Sequence, residues 1–130
     1  MYSELNINPE KRLVGDCVVR AIGVVTDKDW DDVFLDLALK KGFVMKQMPS
    51  ENNVWGSYLR DLGFTRHVIE DTCPDCYTVK DLVRAHPKGR FVLCTGTHAI
   101  GVVDGTYYDT ADTGDEAPQF YFEKENENDK

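Results

Sequence analysis

The dipeptide Asp104-Gly105 stands between HAIGVV and TYYD, two runs rich in β-branched and aromatic residues. An Asp-Gly pair in that setting specifies a two-residue hairpin turn, because both residues tolerate the positive φ the turn demands. The turn pairs Val103 with Thr106, which puts Ile100 opposite Asp109 and His98 opposite Ala111. Side chains alternate across a strand, so His98 and Asp109 project from one face as diagonal neighbours, about 7–8 Å apart along the backbone. Asp112 points to the other face unless a bulge intervenes.

The rest of the chain arranges itself around this hairpin. Met1 to Val14 has little periodicity and is expected to run extended across the surface. Gly15-Asp16 supplies a turn and an N-cap for a helix through about Val25. That helix is apolar on nearly every side (Val18, Val19, Ala21, Ile22, Val24, Val25) and should be central. Thr26 with Asp29 forms a capping-box-like start for a second helix. Its positions Trp30, Val33, Phe34, Leu37 and Ala38 repeat at helical spacing, and Gly42 is expected to end it. Ser50 opens a third helix carrying Trp55, Tyr58, Leu59 and Leu62, stopped by Gly63. Trp30 and Trp55 fall on apolar faces and read as core. Then the pattern changes. FTRHVIE reads as a short strand, TCPDC as a tight loop, and Thr78 with Asp81 caps a helix that stops around His86-Pro87. RFVLC, the Asp104-Gly105 hairpin and QFYFEK read as strands. Helices first and antiparallel strands second predict an α+β fold, with N-terminal helices packed on a small C-terminal antiparallel sheet. Residues 1–124 are expected to form a single domain, and 125–130 an acidic, frayed tail.

Net charge is −8 over 130 residues, which excludes non-specific nucleic-acid binding through a basic face. An acidic surface of this kind can instead engage a basic protein partner. No apolar run approaches the roughly 20 residues that span a bilayer. MYSELNINPEKR lacks the layout of a signal peptide, so a cytoplasmic protein is the expectation.

The four cysteines lie at 17, 73, 76 and 94, and in a chain of this kind a disulfide framework is not expected. Cys17 falls in the first turn of its helix, where unpaired N–H groups and the helix dipole favour thiolate, the nucleophilic form. An attacking cysteine needs a histidine base and a group that orients it. His67 has no carboxylate at a helpful spacing, and His86 precedes a proline at a helix end. His98 opens the best strand, with Asp109 on the same face. Cys94, inside RFVLC, reads as core.

A cysteine at a helix start, then a histidine opening a strand, then a polar residue on the next hairpin strand: this order resembles that of papain-like cysteine peptidases. DCVVRAI is similar to their nucleophile helix and HAIGVVDGTYYDTAD to their histidine strand and its partner, closest to small bacterial and phage members including cell-wall endopeptidases. The resemblance implies a minimal papain-like fold over residues 1–124. It also implies a thiol hydrolase acting on a peptide or amide through an acyl-enzyme, without a cofactor. Carried over, Cys17 is the nucleophile, His98 the base and Asp109 the orienter, with Asp112 the alternative third member. Lys11 stands about where the family has an oxyanion-hole glutamine, and Asn8 or Asn6 is the nearest amide. Asn8 is therefore the expected oxyanion donor. Cys73-Pro74-Asp75-Cys76 admits a redox or zinc reading, with His67, His86 or Cys94 completing a metal site. Its context and spacing favour a plain loop, and no metal is expected. The alternative to an enzyme is a papain-like frame that binds a basic protein without turnover.

Overall fold

The computed structural model describes residues 1–12, 15–70, 72–96 and 98–124, and the expected tail at 125–130 lies outside them. Six strands form one sheet: β1 (Tyr2–Glu4), β2 (Phe64–Val68), β3 (Arg90–Cys94), β4 (Ala99–Val103), β5 (Thr106–Asp109) and β6 (Phe120–Lys124), in the order β1-β5-β4-β3-β6-β2. The helices are α1 (Cys17–Thr26), α2 (Trp30–Leu35), α3 (Phe43–Met45), α4 (Asn52–Asp61) and α5 (Val79–Ala85), with a π-helical stretch at Asp36–Gly42 joining α2 to α3. The fold is α+β. Among the described residues, no helix is long and apolar enough to cross a membrane.

The sheet is larger than expected and mixed. Tyr2–Glu4, expected to lie extended on the surface, pairs in parallel with Tyr107–Asp109. Backbone groups make this pairing: Tyr107 N–H donates to the Met1 carbonyl at 2.9 Å and Leu5 N–H to that of Asp109 at 2.9 Å. Such bonds need no side-chain pattern, which is why three residues without periodicity join a sheet. The remaining pairs are antiparallel.

Alternation along β3 splits the core between the two faces of the sheet. Val92 and Cys94 point into a cluster with Val19, Ile22, Val33, Leu37, Trp55 and Leu59, so α1, the α2–π segment and α4 cover that face. Phe91 and Leu93 point the other way, to Leu82 and Val83 of α5 and to Ile100 and Val102. Each fully buried Leu, Ile or Phe contributes about 1.5–3 kcal/mol, so this two-sided burial is the main stabilising term.

Two glycines carry the geometry near the hairpin. Gly105 adopts φ of 81° and Asp104 φ of 49°, as the turn requires. The observed pairs Val103–Thr106, Val102–Tyr107 and Gly101–Tyr108 reproduce the expected register. Gly101 lies under α1: a Cβ there would stand 2.9 Å from the Ala21 carbonyl oxygen. Its missing side chain lets the helix rest on β4.

Several local expectations change. Asp16 occupies the N-cap of α1, but its side chain makes no capping bond and turns inward. The capping box at Thr26–Asp29 does not form: Thr26 closes α1 with its hydroxyl on the Ile22 carbonyl, and Asp29 precedes α2 without a side-chain bond. Gly42 does not end the second helical run. The run continues through Met45 and stops where Lys46 takes the left-handed conformation. Glu51, not Ser50, is the N-cap of α4. Trp30 is only partly buried, packed against the core with its indole N–H donating to Asp16 at 2.9 Å. Phe34 is 41% exposed. The box at Thr78–Asp81 is complete, and α5 ends before His86 as expected.

Candidate active site

Cys17 is the first residue of α1, so its backbone N–H has no partner within the helix. The thiol is half-buried in a cleft of about 210 Å³ that it shares with His98, Asn52, Trp55 and Cys94. His98 stands immediately before β4, in a turn closed by Thr95 N–H donating to the His98 carbonyl at 2.9 Å. Its Nε2 lies 2.6 Å from Oδ2 of Asp109, at the end of β5. An ionised carboxylate only accepts, so Nε2 carries the proton and Nδ1 is the nitrogen left for Cys17.

Asp109 is 3% exposed and fully used. Oδ2 accepts from His98 and from the Thr113 hydroxyl at 3.0 Å; Oδ1 accepts from Thr110 N–H at 2.7 Å and from the Arg20 guanidinium at 3.3 Å. Burial pushes this carboxyl up, but the His98 bond, the Thr110 N–H, the imidazole charge and the Thr113 hydroxyl together hold it below the usual range. Asp109 therefore stays ionised beside His98.

The proton affinities follow. The bond to Asp109 first, then the hydrogen bond with Cys17, raises His98 against the opposing effect of burial, to about 10. Burial pushes the Cys17 thiol up. The bond with His98, a backbone bond from Ala99, and the charges of His98 and Arg20 outweigh it, so the thiol is lowered. The two shifts favour a thiolate facing an imidazolium. Cys94 goes the other way: burial is the largest effect and its thiol is raised. Two cysteines in one cleft thus have proton affinities shifted in opposite directions.

The structure brings Cys17, His98 and Asp109 together. It does not bring in Asp112, which is exposed and accepts the Tyr107 hydroxyl at 2.6 Å and Gly114 N–H at 2.9 Å. Asn8 is not at the cleft as an oxyanion donor. Its amide donates to Asp16 at 3.1 Å and its oxygen accepts from Glu10 N–H at 2.9 Å. The short segment before Cys17 folds its amide onto the nearest buried carboxylate, which is Asp16. Cys73 and Cys76 form a disulfide, against expectation: the Cys-Pro-Asp-Cys turn brings their Cα atoms to 4.2 Å. Among the described residues no group of three His, Cys, Asp or Glu has metal-holding geometry. His67 does find a carboxylate, Glu123 at 3.2 Å across β2 and β6.

Sequence reasoning missed Arg20 and read Asp16 only as a helix cap. Arg20 reads as one polar interruption in an apolar helix. The available signal is spacing, since Asp16 lies one turn back at i−4 and Cys17 at i−3.

No protein-family model, no curated protein and no solved structure matches this chain.

Proposed function

We propose that the protein is a thiol hydrolase of minimal papain-like layout, with Cys17 as nucleophile, His98 as acid–base and Asp109 as orienter. The observation that carries the reading is the continuous line from the Asp109 carboxylate through His98 to a thiol of lowered proton affinity. In this reading Cys17 Sγ attacks the carbonyl carbon of a peptide or amide, and the oxyanion forms near the Cys17 N–H at the start of α1. The His98 Nδ1 proton passes to the leaving amine as the C–N bond breaks, leaving a thioester on Cys17. Water, deprotonated by His98, then releases the acid and restores the thiol pair.

A second reading, a papain-like frame that binds a basic protein without turnover, draws on the net charge of −8 and on Lys11 in the glutamine's place. One experiment separates the two: incubation with p-nitrophenyl acetate, followed by intact-mass detection of an acetyl group on Cys17 and by steady-state release of nitrophenol. Acetylation with turnover, abolished in His98→Ala, supports the hydrolase. Acetylation no faster than that of a free thiol favours the binding module.

A further inference from the structure

We propose that Arg20 is the positioning residue of this site, tying the carboxylate that orients His98 to the same helix that carries the nucleophile. The inference rests on the thiol-hydrolase reading. Arg20 Nε lies 2.8 Å from Oδ1 of Asp16, and a terminal guanidinium nitrogen lies 3.3 Å from Oδ1 of Asp109. The three side chains are 11%, 6% and 2% exposed, so these are contacts of the interior rather than solvated surface pairs. Asp16 is held in turn through Oδ2, which accepts from Asn8 at 3.1 Å and from the Trp30 indole at 2.9 Å.

The contacts form a closed loop. Cys17 and Arg20 stand three residues apart on one face of α1, and the path Arg20–Asp109–His98 returns to Cys17 from the sheet side. Arg20 and His98 take different oxygens of Asp109, so the carboxylate is gripped from both sides and cannot rotate away from the ring. Charges alternate along the path: Asp16 negative, Arg20 positive, Asp109 negative, His98 positive, and Cys17 negative as thiolate. The titratable and charged groups packed around Arg20 are Asp16 and Cys17 on α1, Asp109 on β5 with Tyr2 on β1 beside it, and His98 before β4. Loss of the guanidinium leaves two buried carboxylates against one imidazolium and removes a positive charge that favours the thiolate. Lysine keeps a charge but lacks the fork that meets two carboxylates at once.

The test measures Cys17 alkylation by iodoacetamide against pH, and p-nitrophenyl acetate hydrolysis, in wild type, Arg20→Met and Arg20→Lys. Arg20→Met is expected to move the acid limb of the alkylation profile upward, so that alkylation at a fixed low pH slows. Its kcat should fall more than tenfold, with KM changed less than threefold. Arg20→Lys should keep the acid limb and still lose kcat. If Arg20→Met does not fold, Arg20→Lys decides alone through that kcat loss in a folded chain. A folded variant with wild-type kcat and an unmoved profile, whatever its melting temperature, overturns the proposal. Wild-type Cys17 alkylating no faster than Cys94 at low pH overturns the hydrolase reading instead, a result visible before any Arg20 variant is made.

Discussion

His98 Nε2 and Asp109 Oδ2 lie 2.6 Å apart although both residues stand beyond the last β4–β5 pair, Gly101–Tyr108. At that end of the hairpin an imidazole is long enough to reach the neighbouring strand's carboxylate. Asp109 pairs with Glu4 of β1, and its carboxylate is held by His98, Thr113, Thr110 and Arg20.

Cys17 should be the selectively reactive thiol. It is lowered while Cys94 in the same cleft is raised, so at about pH 6 iodoacetamide should label Cys17 at least roughly tenfold faster. Peptide-level mass spectrometry after short exposure checks this. Equal labelling would remove the nucleophile assignment.

Asp109 and Asp112 should part company. Asp109→Asn keeps the shape but lets the ring turn, and turnover should drop on the order of 10³-fold or more, as loss of an orienting carboxylate does elsewhere. Asp112→Asn weakens bonds to the Tyr107 hydroxyl and Gly114 N–H, and should lower the urea midpoint slightly with turnover kept. Parallel kinetics and urea melts on the two variants give the comparison.

The stability contributed by His98 should depend on pH with a definite sign. The folded chain holds the His98 proton up to about 10, whereas the unfolded chain releases it near 6.5. The contribution is therefore fully present below about 6.5 and vanishes as pH rises through the folded value, about 10 with the thiol in place and lower without it. Urea midpoints of Cys17→Ala with and without His98→Gln, taken at steps across this range, should converge at the alkaline end. A constant gap would contradict the assignment.

Gly101→Ala should damage the site from below. The added Cβ meets the Ala21 carbonyl at 2.9 Å and must lift α1 from β4, an overpacking that costs about 1–3 kcal/mol. Because α1 carries Cys17 and β4 follows His98, alkylation at low pH should slow together with the loss in melting temperature. A destabilised variant with unchanged Cys17 reactivity would show that helix and strand move apart without opening the pair.

The hairpin was readable because its turn chemistry is local: Asp104-Gly105 sets the register, and the register puts His98 and Asp109 on one face. The Thr78–Asp81 box was readable for the same reason. What escaped depends on distant partners. Tyr2–Glu4 joins the sheet through backbone bonds that leave no periodicity, and Lys46 takes a left-handed turn usually given to glycine. Asp16 has the right identity and place for a cap, yet Arg20, Asn8 and Trp30 offer its carboxylate more than the helix end does. Asn8, chosen as the nearest amide along the chain, is drawn to that same carboxylate. Proximity in sequence ranked the amides; charge ranked them in the fold.

Cys17 and the groups that meet it are far apart in the chain, at 17 and at 98 and 109. Contacts so distant in sequence carry a loop-closure cost before they form. Until the hairpin docks, Cys17 lacks both His98 and the Ala99 backbone bond that lower its proton affinity. The lowered proton affinity of Cys17 is thus a property of the finished sheet and not of α1 alone.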